Sequence, residues 1–310
     1  MSATAELLAD CGAAAESHDL FRSRPFFDAE GVTHTLRLDS PGRLALVPLI
    51  VRDVEGSDLL DAVSPYAYPG ASVSGAGAAP AAHDFEWSET GLISIFGRER
   101  LAAAPWLAAD DERSTVLLHD PRRERRLRPR LAEQIRANVR DGWRGELVTG
   151  PDSTAPARDA FAVAYAQTMT RAAAAERYFF AREYFDAILS FERSWLVAAT
   201  REGEYGAGAI AAISDGILHY YLGGTADSAL RASPFKNVIA AMLDLADELD
   251  LALNLGGGIT AGDGLEEFKR GFANADLPFF IHEVVCDASE YDRLSAERDG
   301  ADFFPAYRAG

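Results

Sequence analysis

The sequence predicts an α/β protein of two domains, mixed sheets flanked by helices. Three observations lead there. The chain has 310 residues, which at roughly 150 residues per domain divides into two. Helical and strand-like hydrophobic periods alternate through both halves. Between the halves lies Thr149-Gly150-Pro151-Asp152-Ser153-Thr154-Ala155-Pro156, a run of turn formers without a large apolar residue. Domains at 1–150 and 151–310 are therefore expected. Composition is close to the globular average, with 48% hydrophobic and 25% charged residues. A chain of this size buries about three quarters of its unfolded surface, so neither disulfides nor a metal is needed to hold it.

In the first half, Thr33–Leu38 partly alternates, Ser40-Pro41-Gly42 marks a turn, and Leu44–Val51 supplies the buried partner strand. Ser64–Gly70 and the small residues Ala71–Ala82 read as one long loop. Phe85–Thr90 is expected to be helical, Leu92–Phe96 a strand, Arg98–Leu107 a helix and Thr115–His119 a strand. Leu131, Ile135 and Val139 at i, i+4 spacing predict a helix from Pro129. Trp143–Val148 closes the half as a strand.

The second half is more regular. Ala157–Arg177 is predicted as a helix, with Phe161, Tyr165 and Met169 on one stripe, and Tyr184–Glu192 as another. Trp195–Arg201, Ala207–Ser214 and Ile217–Leu222 are strands, the last ending at Gly223-Gly224-Thr225. Ser233-Pro234 opens a helix to Leu249, a cap followed by proline at the first position. Leu251–Leu255 is a strand closed by Gly256-Gly257-Gly258, Leu265–Gly271 a short helix, and Phe279–Cys286 a late strand. This order resembles the acetyltransferase-like α/β fold, and both halves can carry a version of it.

Acidic residues outnumber basic ones 48 to 30, for a net charge of −18. That excludes a protein that coats nucleic acid or anionic membrane with its whole surface, but not one with a local basic patch. Cys11 and Cys286 are far apart and lack CxxC spacing, so no disulfide framework is expected and a reducing compartment fits. The N-terminus lacks the pattern of a secretory signal. The longest clean apolar run, Leu44–Val51, is broken by Pro48 and too short to span a bilayer. A cytoplasmic location is the expectation. The six histidines show no metal spacing, and GxSxG, P-loop and GxGxxG motifs are absent, so neither metal nor cofactor is expected.

The 30 basic residues are 28 arginines and two lysines, Lys236 and Lys269. A GC-rich coding bias accounts for the ratio, yet a lysine that persists against such a bias is a candidate for a specific role. Arg122, Arg123, Arg125, Arg126, Arg128 and Arg130, followed by Arg136 and Arg140, form a basic island offset only by Glu124 and Glu133. Such an island either grips phosphates, in a salt-dependent and sequence-blind way, or is a solvated face paired with nearby acids.

Tyr165-x-x-Thr168-Met169-x-Arg171, Tyr178, Tyr184-Phe185, His219-Tyr220-Tyr221-Leu222-Gly223-Gly224-Thr225, Leu255-Gly256-Gly257-Gly258 and Phe268-Lys269-x-Gly271-Phe272 follow one another in this order. Together they resemble the Fem family of aminoacyl-tRNA-dependent transferases, within the acetyltransferase-like (GNAT) superfamily. Tyr66-x-Tyr68-Pro69-Gly70 is similar to a substrate loop of that family. The resemblance covers most of residues 60–290, and its strongest element is the glycine triplet followed by Phe-Lys.

It implies two tandem acetyltransferase-like domains and peptide-bond formation, in which an acceptor amine attacks the ester of an aminoacyl-tRNA. The tRNA is then a co-substrate and no cofactor is required. Family members build cross-bridges on peptidoglycan precursors or add amino acids to amine-bearing natural products. The chain lacks the long helical arm of some cell-wall members, which shifts weight toward a small soluble acceptor.

By the same resemblance, Lys269 stabilises charge in the tetrahedral intermediate or contacts the terminal adenosine of the tRNA. Phe268 is its neighbour or part of the core. Tyr66, Tyr68, Thr168, Arg171, Tyr220 and Tyr221 are candidates for acceptor binding, and Arg122, Arg123, Arg125, Arg126, Arg128 and Arg130 for tRNA binding. Thr168 and Arg171 share a helix face, where the arginine fork suits a phosphate or carboxylate, or an ordinary ion pair. Tyr220 and Tyr221 point to opposite faces of a strand, one toward the core and one toward a cleft. Gly256, Gly257 and Gly258 either admit a ligand to the backbone or make a tight turn.

Two other readings share the fold: an acyl-CoA or acyl-carrier N-acyltransferase, and a non-catalytic small-molecule-binding module. An acyl-CoA site places a glycine-rich turn before a helix whose amides hold a pyrophosphate. Here that position reads Arg231-Ala232-Ser233-Pro234-Phe235, without glycine and with a proline removing one amide.

Overall fold

The computed structural model describes residues 3–108, 112–258, 262–296 and 303–309. The elements of the N-terminal part are β1 (Thr4–Leu8), α1 (Arg24–Glu30), β2 (His34–Ser40), β3 (Arg43–Asp53), β4 (Leu60–Val63), β5 (Ser72–Gly75), β6 (Leu92–Arg98) and β7 (Glu112–His119). Next come α2 (Pro129–Arg140), β8 (Arg144–Thr149), α3 (Ala155–Arg171), α4 (Arg182–Leu189), β9 (Ser194–Arg201), β10 (Glu204–Ser214) and β11 (Ile217–Thr225). The chain finishes with α5 (Phe235–Leu249), β12 (Leu253–Gly256), α6 (Gly264–Arg270), β13 (Ala275–Val285) and α7 (Ala288–Ser295). They form two compact units, one of residues 1–114 with 278–310 and the other of residues 115–277.

In the first unit, β1, β2, β3 and β4 pair antiparallel in sequence order. β6 then joins β4 in parallel, and β13 joins β6 antiparallel. Alternation along β2 and β3 turns Leu36, Leu38, Val47 and Leu49 inward, and all four are buried. α1 begins at Ser23, whose hydroxyl accepts the Phe26 amide, has proline in its first turn, and stops at Gly31 in the left-handed region.

The second unit repeats this plan. β8, β9, β10 and β11 pair antiparallel, β12 joins β11 in parallel, and β7 joins β12 antiparallel. Each unit is therefore an antiparallel run, a parallel pair and one last antiparallel strand. That last strand comes from elsewhere in the chain: β7 follows β6 in sequence but pairs in the second unit, and β13 follows β12 but pairs in the first.

This exchange moves the division away from 150. Residues 115–149 belong to the second unit, where β7 pairs with β12, α2 packs on α5, and β8 pairs with β9. The turn formers at 149–156 mark a loop inside that unit, tied by Thr149 Oγ1 to Asp152 and by Ser153 Oγ to the Gly150 carbonyl.

α5 buries Val238, Ile239, Met242, Leu243 and Ala246 against Val197, Ala199, Ala207, Ala209 and Ala211 of β9 and β10. The alanines on the strands let the helix come close to the sheet. On the other face, α3 crosses β11 at Gly224, where a Cβ would lie 2.6 Å from the backbone of Ala164 and Tyr165. Only glycine fits there.

Several expected helices differ. Phe85–Thr90 contains only a 3-10 turn at Ser88–Thr90, set by the buried rings of Phe85 and Trp87. Arg98–Leu107 is irregular because a buried carboxylate satisfies its backbone: Glu99 accepts the Trp106 amide at 2.8 Å and pairs with His282 at 2.7 Å. The helix expected to reach Arg177 stops at Arg171, whose guanidinium is drawn to the Thr225 carbonyl and Asp227. The helix expected from Ser233 starts at Phe235, with Ser233 itself left-handed and Pro234 at the cap.

The first unit also holds a wholly buried carboxylate, Asp61. It accepts from Arg52 at 2.9 and 3.2 Å, from Arg308 Nη2 at 3.0 Å and from the Tyr307 hydroxyl at 3.0 Å. Removing it strands two arginines that still reach water in part. Asp61→Ala is expected to lower unfolding free energy by about 2–3 kcal/mol, less than a fully buried pair would lose. Urea denaturation measures this, and an unchanged midpoint would mean that the Asp61 cluster contributes nothing to stability.

Candidate active site in the second unit

α6 is short but well anchored. Asp263 caps it by accepting the Glu266 amide at 2.7 Å, and Glu266 accepts the Gly262 amide at 2.7 Å and pairs with Arg270. These bonds fix the helix so that Lys269 points inward, only 8% exposed. Its Nζ donates to the Gly257 carbonyl at 2.7 Å and lies 5.6 Å from the centre of the Tyr220 ring. Burial pushes the Lys269 pKa down to about 8, with the Asp263 carboxylate acting in the opposite sense.

The glycines shape this pocket. Gly256 has φ +74, and a Cβ there would stand 3.1 Å from Lys269 Nζ. A Cβ on Gly257 would meet the Thr115 carbonyl at 3.1 Å. Gly256, left-handed at the end of β12, brings the carbonyl of Gly257 to the lysine, while Gly258 is exposed.

β11 settles the tyrosines. Its pairing with β10 slips between Ile210 and Ala211, so Tyr220 and Leu222 have partners and Tyr221 is the extra residue of a bulge. Tyr220 turns toward Lys269 and packs on Phe235 at 5.6 Å. Tyr221 hydrogen-bonds the Tyr184 hydroxyl, and Tyr184 stacks on Phe180 at 4.1 Å.

Phe268 serves both core and surface. It packs on Phe235 at 6.4 Å and Phe272 at 5.2 Å, and it lines a groove of about 310 Å³ with Arg128, Arg130, Leu131, Gln134, Gly264 and Glu267. The Arg128 amide donates to the Gly271 carbonyl at 3.3 Å, which ties the start of α2 to the end of α6.

The basic island is split by this arrangement. Arg122 lies 3.9 Å from Asp250, Arg123 3.5 Å from Asp120, and Arg125 2.6 Å from Asp244. Arg126, Arg128 and Arg130 have no ion-pair partner among the described residues. The second lysine also sits close by. Lys236, in the first turn of α5, is held below the usual lysine range by burial and then by the charge of Arg130.

The other sequence candidates lie elsewhere. Thr168 Oγ1 accepts the Thr225 amide at 2.9 Å, and Arg171 Nη2 donates to the Thr225 carbonyl and to Thr168 Oγ1, both at 2.8 Å. With its ion pair to Asp227, the arginine fork is occupied in tying α3 to the end of β11. Tyr66 and Tyr68 belong to the first unit. The Tyr66 amide donates to Glu30 at 2.8 Å, and the Tyr68 ring packs edge-on to Phe279 at 5.1 Å.

Gln134, Asp263 and the partnership of Lys236 with Arg130 were not singled out from sequence; lysine scarcity was the one signal pointing to Lys236. Among the described residues, no group of three or more His, Cys, Asp or Glu could hold a metal. No helix of these residues is long and apolar enough to cross a membrane.

The buried ammonium has a pH signature. Below pH 8 folded and unfolded chains both carry the charge, and the folded state bears the full desolvation penalty. Between about 8 and 10.5 the unfolded chain keeps a proton that the folded chain has lost, so native stability rises with pH. Lys269→Met is expected to be the more stable protein below that window, by on the order of 1–3 kcal/mol, with the gap closing across it. Denaturant titrations on both sides of the window measure this. Equal stabilities at every pH would mean that the ammonium is hydrated.

Residues 125–270 match the family model described as an acetyltransferase (GNAT) domain. No curated protein matches the sequence. Among solved structures, the chain is similar to FemX, with 11% identity, a TM-score of 0.61, and coverage of 93% of this chain and 99% of that one. It is also similar to the C-terminal domain of a putative lysylphosphatidylglycerol synthetase from Agrobacterium fabrum, with 13% identity, a TM-score of 0.51, and coverage of 80% and 82%. A third similarity is to L-PGS from Bacillus licheniformis, with 11% identity, a TM-score of 0.51, and coverage of 79% and 82%. At these identities the likeness shows architecture alone: the chain has a mixed α/β fold like that of FemX.

Proposed function

We propose that this protein transfers an aminoacyl group from tRNA to the amine of a small acceptor. The observation that carries the reading is a desolvated cation next in sequence to an aromatic ring that lines a groove with two arginines. Lys269 is held by the Gly257 carbonyl, and the adjoining Phe268 shares its groove with Arg128 and Arg130.

An RNA 3′ end offers phosphates to unpaired arginines and a base to an aromatic wall. Phe268 is that wall, with Arg128 and Arg130 as the phosphate contacts. The similarity to FemX and to synthetases named for an aminoacylated lipid supports the same class of transfer. The start of α5 supports it too, because Pro234 withholds an amide from the position where a pyrophosphate would need one.

The chemistry is a direct displacement. The neutral acceptor amine attacks the ester carbonyl carbon, forming the C–N bond and a tetrahedral oxyanion. Lys269, with a pKa of about 8, is largely protonated at neutral pH and stabilises that oxyanion. Collapse breaks the C–O bond to the ribose, whose oxygen takes the proton released by the amine. No enzyme nucleophile takes part. Tyr220, against the ammonium, walls the reacting centre.

Labelled amino acids, bulk tRNA, synthetases, ATP and a cytosolic metabolite extract supply the test, with RNase added to half of each reaction. RNase-sensitive label in the metabolite fraction is the expected result. Label that survives RNase and requires CoA would overturn the tRNA donor in favour of acyl-CoA chemistry. Lys269→Ala is expected to slow transfer about 10²–10³-fold. Arg128→Ala and Arg130→Ala are each expected to flatten the salt dependence of tRNA binding by roughly one contact, a slope change of about 0.7–0.9.

A further inference from the structure

The turn that holds Lys269 is itself held by two buried side chains on neighbouring strands. β11 and β12 run parallel with His219 opposite Asn254, and these residues are 2% and 1% exposed. His219 Nε2 lies 3.2 Å from the Ser214 carbonyl oxygen, which can only accept. Nε2 therefore carries the proton, and Nδ1 is left as an acceptor. Burial lowers the His219 pKa to about 4, so the ring is neutral at physiological pH and keeps this tautomer.

That tautomer sets the next bond. Asn254 Nδ2 donates to His219 Nδ1 at 3.1 Å, which turns the amide oxygen the other way, where it accepts the Gly256 amide at 2.8 Å. A flipped amide would set an NH₂ group against that N–H. Here β12 slips register against β7 and the chain turns through Gly256 at φ +74. The following residue, Gly257, presents its carbonyl to Lys269 Nζ.

We infer that His219 and Asn254 are positioning residues for Lys269: their hydrogen bonds fix the Gly256–Gly257 turn whose carbonyl holds the ammonium. Neither touches the reacting atoms. What Lys269 does in turnover rests on the proposed reaction, whereas its positioning does not, and the two can be tested apart.

Lys236 and Lys269 are the only lysines, so trace acetylation with acetic anhydride, read by mass spectrometry across pH, reports on each one separately. In the native protein the Lys269 midpoint is expected at about 8. His219→Leu removes the acceptor that orients Asn254 and lets the ammonium leave the turn for water. The Lys269 midpoint is then expected to rise by more than about one pH unit toward the ordinary lysine value, with that of Lys236 unmoved. His219→Asn places an amide oxygen near the Nδ1 position and is expected to restore the native midpoint, which a purely packing role would not do. Asn254→Ser covers the case in which His219→Leu fails to fold. It removes the oxygen facing Gly256 and carries the same upward shift.

An unmoved Lys269 midpoint in a folded His219→Leu or Asn254→Ser protein overturns the positioning role, as does a His219→Asn protein that behaves like His219→Leu. Transfer is assayed in parallel. The expected midpoint shifts in a protein whose native form transfers nothing would sustain the positioning role and overturn the proposed reaction.

Discussion

A cation withdrawn from water has to be given something in return, and the second unit is built around that demand at Lys269. The ammonium receives a carbonyl lone pair from Gly257 and the face of Tyr220. The carbonyl points inward because the chain turns through a left-handed glycine that a Cβ would crowd against the amine. α6 stays in place because Asp263 and Glu266 satisfy the amides at its start. Stability alone would favour an apolar residue at this position, and the proposed reaction supplies a reason for a charged one.

Much of this was legible in the sequence. Helical periods located α2 and α5, and glycine, proline and β-branched patterning located β2, β3 and β9 to β12. Lys269 stood out because lysine is scarce and because the Phe-Lys pair follows a glycine triplet. What stayed hidden depends on pairing rather than on local pattern. The bulge at Tyr221 exists only relative to β10, and the Asn254–His219 bond only because β11 and β12 lie in parallel register. The helix expected at 98–107 failed for a similar reason: Glu99 satisfies that backbone through a bond to Trp106 that no propensity foretells.

The arginine island shows how one sequence feature becomes two physical ones. The solvated, paired face holds for Arg122, Arg123 and Arg125, and the phosphate grip remains a proposal for the others. The acids that neutralise Arg122 and Arg125 lie on α5 or just beyond it, more than a hundred residues away in sequence, so sequence proximity could not separate the two groups. Arg126, Arg128 and Arg130 remain without such partners among the described residues, and two of them line the groove with Phe268. On a protein with a net charge of −18, a small uncompensated cluster presents a local field opposite to that of the molecule.

The exchanged last strands carry a consequence for how the chain is made. β6 leaves the ribosome long before β13, its antiparallel neighbour, which lies beyond residue 275. At about 5–20 residues per second, the intervening stretch takes on the order of 10–35 s to synthesise. For that interval the nascent N-terminal unit bears an open sheet edge at Leu92–Arg98, the kind of edge on which strands from other chains add. The hydrophobic core beneath it closes only when the last part of the chain arrives, so the half-made sheet is the stage of synthesis most open to aggregation.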